Sequence, residues 1–224
     1  MTEFAYYYLN FEVMAQYLPT LLVGLRITAV LALLVTVIGI GLGLILAVLR
    51  SFRIRLLTAA IVVVVDILRS IPPLMLLIFA YFALPYVGLT LPSMTAAVLC
   101  LSLILAAFAE EIFWACILSV DKGQWEAARA TGMSFLAILF LVILPQAIRM
   151  GIPDLTNRTI AITKATSLAS AIAVPELINR SMSAQSIAAS PSPLMLGAAL
   201  YLVLFFPLVV GSRLLEKRIR GVAR

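Results

Sequence analysis

From Leu21 to Leu49 the chain carries a single charge, Arg26, among apolar and small polar residues. About 20 apolar residues at 1.5 Å each suffice to cross the roughly 30 Å of hydrocarbon in a bilayer. A helix that is apolar on every side is either buried inside a large protein or surrounded by lipid. Composition decides between the two. The 224 residues are 64% hydrophobic and 12% charged, with a mean hydropathy of +1.16, whereas soluble domains are nearer half apolar and about a quarter charged. A folded chain of this size hides only about 70% of its unfolded surface, so the excess apolar surface needs an apolar solvent. A water-soluble enzyme, a disordered chain and a disulfide-stapled secreted domain are excluded. The net charge of +6 and pI near 9.7 do not point to nucleic acid, because basic loops facing the cytoplasm give the same totals.

Cys100 and Cys116 fall in one long apolar run. On a helix they stand roughly 24 Å apart, too far for a disulfide, and read as packing residues. The chain contains no histidine, which removes the commonest general base and metal ligand. No metal site is expected.

Five spans are predicted, at about 21–49, 56–87, 92–119, 155–178 and 194–212. The segment MTEFAYYYLNFEVMAQYLP lacks a basic leader, carries Glu3 and Glu12, and reads as an aromatic-rich interfacial segment and not a signal peptide. Twelve of the sixteen basic residues sit in the first loop (Arg50, Arg53, Arg55), the third loop (Lys122, Arg129, Arg149, Arg158) and the C-terminal tail (Arg213, Lys217, Arg218, Arg220, Arg224). The positive-inside rule therefore places the N-terminus outside and the C-terminus in the cytoplasm. The outer loops, Tyr86 to Thr90 and Ser181 to Pro193, are too short for a domain. The inner loop, 120–154, is longer than most connections, and loops of that length are usually functional. Gln124 to Thr131 favour a helix that Gly132 can end, and a second apolar helix is expected to stop before Pro145. Such a hairpin is either a plain connector or a docking knob for a soluble partner.

Glu126-Ala127-Ala128, Gly132, Val142, Leu144 and Pro145 match the pattern EAA, three residues, Gly, nine residues, an aliphatic residue, any residue, Leu-Pro. This resembles the signature of the membrane-spanning subunit of ABC-type importers. GQWEAARATG, VILPQAIR, TKATSLASAIAVPEL (Thr163 to Leu177) and LRSIPPL (Leu68 to Leu74) are similar to the branch carrying polar amino acids and opines. The resemblance covers nearly the whole chain. It departs at Trp114, where relatives usually have arginine, at Ser70 and Ile71 in place of Gly-Thr, at Ala165 in place of a frequent acid, and at Glu110, a second acid beside Glu111.

The resemblance implies an all-α membrane protein, a single permease domain in the inner membrane, like the type I importer permeases. Its partners would be a dimer of ABC ATPases, a second permease subunit and a periplasmic solute-binding protein. The chain has no GxxxxGK[ST] motif, so it is expected to be no enzyme and to bind no cofactor, with ATP and magnesium used by the ATPase. The residues implied to dock on the ATPase are Gly123, Gln124, Glu126, Ala127, Ala128, Arg129 and Gly132, the two alanines keeping the helix thin. Glu126 and Arg129, three apart, pair either with each other or with charges on the ATPase.

Charges at membrane depth cost about 2.5–3.5 kcal/mol each at a helix centre and need a reason. Asp66 and Arg69 share a helix face and can pair locally. Arg69 also precedes Pro72-Pro73, which must break the helix, and a broken helix beside a cation is one way a solute path is built. Glu110 and Glu111 point about 100° apart, so at most one of them is expected to face a shared cavity, the other lying near the inner interface. Asn157, Arg158, Thr163, Lys164, Thr166, Ser167 and Ser170 make the fourth span polar, as a helix facing a cavity or a second subunit must be. The candidate pathway residues are Arg69, Glu111, Asn157, Lys164, Thr166 and Ser167. Glu176 and Arg180, four apart near the outer end, are expected to form a gate, a contact with the binding protein or a simple surface pair. A secondary transporter or channel without ATPase coupling would instead show an internal repeat of several spans, and a membrane enzyme would need clustered catalytic groups.

Overall fold

The computed structural model describes residues 7–222, and the side chains of residues 7–214. The first helix, α1 (Phe11–Ser51), is followed by α2 (Arg55–Ser70) and α3 (Pro73–Ile78), which continues through a π turn (Phe79–Ala83) and a 3-10 turn (Leu84–Val87). Then come α4 (Ser93–Ser119), the short α5 (Lys122–Ala130) and α6 (Phe135–Ala137). A π turn (Ile138–Ile143) joins α6 to α7 (Leu144–Lys164), which runs into a 3-10 segment (Ala165–Ile172). The helices α8 (Leu177–Ala188) and α9 (Ser192–Val222) complete the order. Among the described residues there is no strand.

Four helical runs are long and apolar enough to cross a membrane: Phe11–Ser51, Ser93–Ser119, Phe135–Ile172 and Ser192–Leu214. The pair α2 plus α3 makes a fifth if counted as one span, bent by 101°. The all-α membrane architecture expected from composition is therefore present.

The helix α4 is the axis of the molecule. Over its most apolar 18 residues 67% are buried, against 11% over the most apolar 18 of the last span, so similarly apolar helices serve as core and as lipid-facing wall. The seam of α1 on α4 is built from residues four apart: Leu31, Val35, Gly39, Gly43, Ala47 and Ser51 are all buried. Small residues at this spacing let backbones approach closely, the usual means of joining helices where no hydrophobic effect drives them together. A Cβ added at Gly43 would lie 2.7 Å from the Ala106 carbonyl oxygen and 2.9 Å from the Glu110 nitrogen. Only glycine fits there.

Several parts of the path differ from the sequence expectation. Residues 1–6 lie outside the described part of the chain, but from Phe11 onward the interfacial segment is the first part of α1 itself. Asn10 caps that helix by accepting from the Glu12 and Val13 nitrogens. The stretch 56–87 is not one straight rod. Ile71 takes the extended backbone that a residue before proline prefers, and α3 turns away to bury Leu77 and Ala80 against Ala97, Leu101 and Ile172.

Pro145, expected to end a helix, lies inside a continuous helical run. The π turn before it shifts the ladder, so that the Leu144 N–H bonds to the Leu139 carbonyl, and a proline without an N–H is accommodated just beyond. Gln146 Nε2 donates to the Val142 carbonyl at 2.7 Å, satisfying an acceptor there. The polar stretch 155–178 is therefore preceded by helix from Phe135, and only about 120–134 forms the excursion from the bundle. At its other end the run stops at Ile172, where Ala173 adopts φ 59. The Ser-rich stretch that follows Ser181 forms most of α8, packed between α1 and α9 around Leu21, Leu177 and Ala184. Cys100 and Cys116 are both free on α4.

Candidate functional site

The short helix α5 is capped at both ends by its own residues. Asp121 Oδ1 accepts from the Gly123 N–H at 2.6 Å, the side-chain cap that satisfies an orphan donor at a helix start. At the other end Gly132 takes φ 78, the Met133 N–H reaches the Ala128 carbonyl and the Gly132 N–H reaches that of Arg129. This paired closure requires a left-handed residue, for which glycine has no steric penalty.

The helix is held to the bundle by aromatic rings. Trp125 stacks on Phe135 at 6.0 Å between centroids, and Phe135 lies 5.7 Å from Phe52. The three rings tie α5 to the start of α6 and the end of α1. Ala128 is 7% exposed and joins this packing with Ile117, Ile138 and Ile143. Gly123, Gln124, Glu126, Ala127, Arg129 and Gly132 are exposed. Ala128 thus faces the chain's own core, and of the two alanines it is Ala127 that an external partner could touch. Glu126 and Arg129 form no ion pair with each other; the described ion pairs are Arg50–Glu110, Arg69–Asp66 and Arg69–Glu111. A cavity of about 480 Å³ lies beside α5, bounded by Phe52, Trp114, Lys122, Glu126 and Arg129 among others.

Deeper in the bundle, two of the six candidate pathway residues come together. Arg69 Nη2 is 2.6 Å from Glu111 Oε2, shorter than its 3.9 Å approach to Asp66. The pairing therefore ties α2 to α4 more than it ties α2 to itself. Arg69 and Arg158 both lie over the Phe108 ring, at 5.3 and 3.8 Å, so α7 joins the same cluster. Guanidinium groups on an aromatic face gain about 0.5–1 kcal/mol each at exposed sites. Glu111 remains 48% exposed. Asn157 and Lys164 are exposed on α7, and Ser167 is half-buried and donates to the Lys164 carbonyl. Thr166 lines no open space: it is 0% exposed and its hydroxyl donates to the Thr163 carbonyl at 2.6 Å. That local bond is what lets a hydroxyl sit in the core.

Two polar nodes escaped the sequence reading because their partners are far apart in the chain. Glu110 is 0% exposed and meets Arg50 Nη1 at 2.9 Å, with Arg50 also over the Trp114 ring at 4.7 Å. Glu176 does not pair with Arg180. It is fully buried, caps α8 through the Ile178 and Asn179 nitrogens and accepts from the Tyr201 hydroxyl at 2.7 Å, while Arg180 donates to the Pro175 carbonyl. An acid at a helix start is favoured by the dipole and the free N–H groups. The nearby Thr28 hydroxyl accepts from Leu177 and donates to Gly24. Among the described residues no three His, Cys, Asp or Glu side chains gather as a metal site.

Residues 39–221 match the family of binding-protein-dependent transport system inner membrane components. The chain belongs to this family. The permease is 36% identical over 199 residues to a probable glutamine ABC transporter permease of Bacillus subtilis, covering 87% of this chain and 91% of the relative. It is 39% identical over 212 residues to the L-cystine transport system permease of the same organism, covering 92% and 89%. Among solved structures it resembles an amino acid ABC transporter crystallised with histidines, with a TM-score of 0.84 and 31% identity over 93% of this chain and 98% of that one. The inward-facing methionine ABC transporter shares the fold at a TM-score of 0.66 and 23% identity. The resemblance read from the EAA motif is thus confirmed, and the reading as a secondary transporter or channel is set aside. The permease is a multi-pass membrane component of a transport system that works with a binding protein.

Proposed function

We propose that the permease is the membrane-spanning half of an ATP-driven amino-acid importer, with α5 as the element that receives the motor's stroke. One observation carries this reading. The helix is self-capped, braced from below by Trp125, Phe135 and Ala128, and presents Glu126, Ala127 and Arg129 outward without intrachain ion pairs. A rigid knob with an unused polar face suits a cleft on a separate ATPase dimer, which would bind the ATP and magnesium; this chain would hold no cofactor and catalyse no reaction. Closure of that dimer would push α5, and the stacked rings would pass the motion to α1 and to the long α6–α7 run. That is rigid-body switching between two arrangements of a bundle.

A polar amino acid is the proposed cargo, supported by the relatives that carry glutamine and cystine. The Arg69–Glu111–Arg158 cluster and exposed Lys164 are the proposed lining, since charges at membrane depth avoid lipid. Glu111, Arg158 and Lys164 are exposed in this chain, so a second permease subunit is proposed to cover them. Arg50, Arg53 and Arg55, in and beside the α1–α2 connection, and Lys122 and Arg129 on α5 lie at the same end of the bundle, which supports a cytoplasmic placement of that end, with the N-terminus periplasmic.

The test is proximity. A single cysteine placed by Ala127→Cys, with Cys100 and Cys116 replaced by serine, should cross-link to the ATPase in membranes that co-express the whole system. Absence of any cross-link at this position, with the complex intact, would remove α5 from the interface.

A further inference from the structure

A second cavity, of about 680 Å³, opens beside the junction of α1 and α2. One mouth of it is basic: Arg50, Arg53 and Arg55 all line it. Arg50 is held by Glu110 and Trp114, yet its buried Nε has no acceptor. Arg53 and Arg55 are exposed and form no ion pair with any described residue. Arg53 also adopts φ 57, a left-handed backbone that a non-glycine residue rarely takes without a functional or structural reason.

The start of α2 adds to this positive field. Its cap residue, Ile54, supplies no side-chain hydrogen bond, and its first turn has no acid. A basic first residue there opposes the helix dipole. The four orphan N–H groups of that first turn therefore lie beside the unpaired guanidinium groups of Arg53 and Arg55, with Arg50 already neutralised by Glu110.

Apart from Thr58, next to the mouth, the rest of the lining is apolar: Ala59, Val62 and Val63 of α2 and Trp114 and Leu118 of α4. Val63 and Leu118 are more than half exposed, at 57% and 56%. From Arg55 to Val63 the wall extends about 12 Å at 1.5 Å per residue, close to the depth of one leaflet of a bilayer about 30 Å thick. A soluble acidic partner would match the charges but leave this wall uncovered. A charged mouth over an apolar trough matches one molecule with both halves.

We propose that this groove binds an anionic phospholipid, its phosphate on Arg53, Arg55 and the first turn of α2, and one acyl chain along Val62, Val63 and Leu118. Basic pockets between transmembrane helices at a membrane surface are suited to such headgroups, and each arginine near an anionic surface is worth about fivefold in binding.

The experiment uses the intact importer, co-expressed with its partners and placed in nanodiscs of phosphatidylglycerol and phosphatidylethanolamine in equal parts. Lipid retained on the released complex is read by native mass spectrometry. The wild-type complex should be enriched in phosphatidylglycerol, and Arg53→Gln/Arg55→Gln should reduce that enrichment by roughly tenfold or more. Val63→Trp, which fills the trough and leaves the charges in place, should reduce it too. Arg149→Gln, a basic residue on α7 outside the groove, should leave it unchanged. Persistent enrichment in the double variant would overturn the proposal, as would an equal loss in Arg149→Gln, which would mean net charge alone. Displacement of the lipid by inorganic phosphate with no effect of Val63→Trp would show a free-anion site instead. Loss of the ATPase from the double variant with lipid retained would show a protein-docking surface.

Discussion

The two ends of the bundle handle polar groups in opposite ways. At the α8 end Glu176, Thr28 and Tyr201 are brought together from three helical elements, and the carboxylate accepts three hydrogen bonds within the chain. At the α5 end Glu126 and Arg129 stand exposed three residues apart and do not pair. The first set is architecture: buried polar groups are stable only when satisfied. The second set leaves its bonding capacity for something outside the chain. At these two ends, burial with intrachain partnership, not polarity or position in the sequence, separates residues that hold the fold from residues left to meet a partner.

The sharpest challenge to that distinction is Arg50–Glu110, which sits toward the α5 end yet is buried and paired. Arg50→Met leaves Glu110 as an uncompensated buried charge and should cost about 3 kcal/mol or more, read as a fall of roughly 10 °C in the unfolding midpoint of the detergent-purified protein. Unchanged stability would mean that partnership does not mark architecture at this end. Next comes Glu176→Ala, which removes the α8 cap and strands the Tyr201 hydroxyl. A loss of about 2 kcal/mol is expected in the same assay, whereas Arg180→Ala should move the midpoint little. Gly132→Ala should cost about 1 kcal/mol by forcing a side chain into the left-handed closure of α5. Its effect should appear as faster proteolysis near residue 132 more than as a global shift. The smallest stability change belongs to the exposed face: Ala127→Trp should stay within about 0.5 kcal/mol, while Ala128→Trp, pressed into the packing around Ile117 and Ile138, should exceed it.

Much of this was legible before any coordinates. The apolar run through Leu21 to Leu49 and the low charge dictated membrane helices, and Gly132 marked the end of α5, whereas its Asp121 cap was seen only in the structure. The helix break at Pro72 follows from proline's own geometry. What stayed hidden depends on tertiary context. Pro145 reads as a helix stop, and only a π turn stabilised by packing on α4 turns it into an interior residue. Which of Ala127 and Ala128 faces outward depends on the phase set when Trp125 stacks on Phe135. Thr166 belongs to a polar run, yet a bond to the carbonyl three residues back allows it into the core. Glu110 finds Arg50 across 60 residues of chain, and Glu176 finds Tyr201 across 25, separations that no local pattern records.

The most direct trial of the coupling role is ATP-driven uptake of a labelled polar amino acid by proteoliposomes containing the full transporter and its binding protein. With Ala127→Trp, uptake should fall at least tenfold, about 1.4 kcal/mol in the effective coupling equilibrium, while the unfolding midpoint of the complex is unchanged. Wild-type uptake by that variant would contradict the claim that a partner's motion enters the bundle through the outer face of α5.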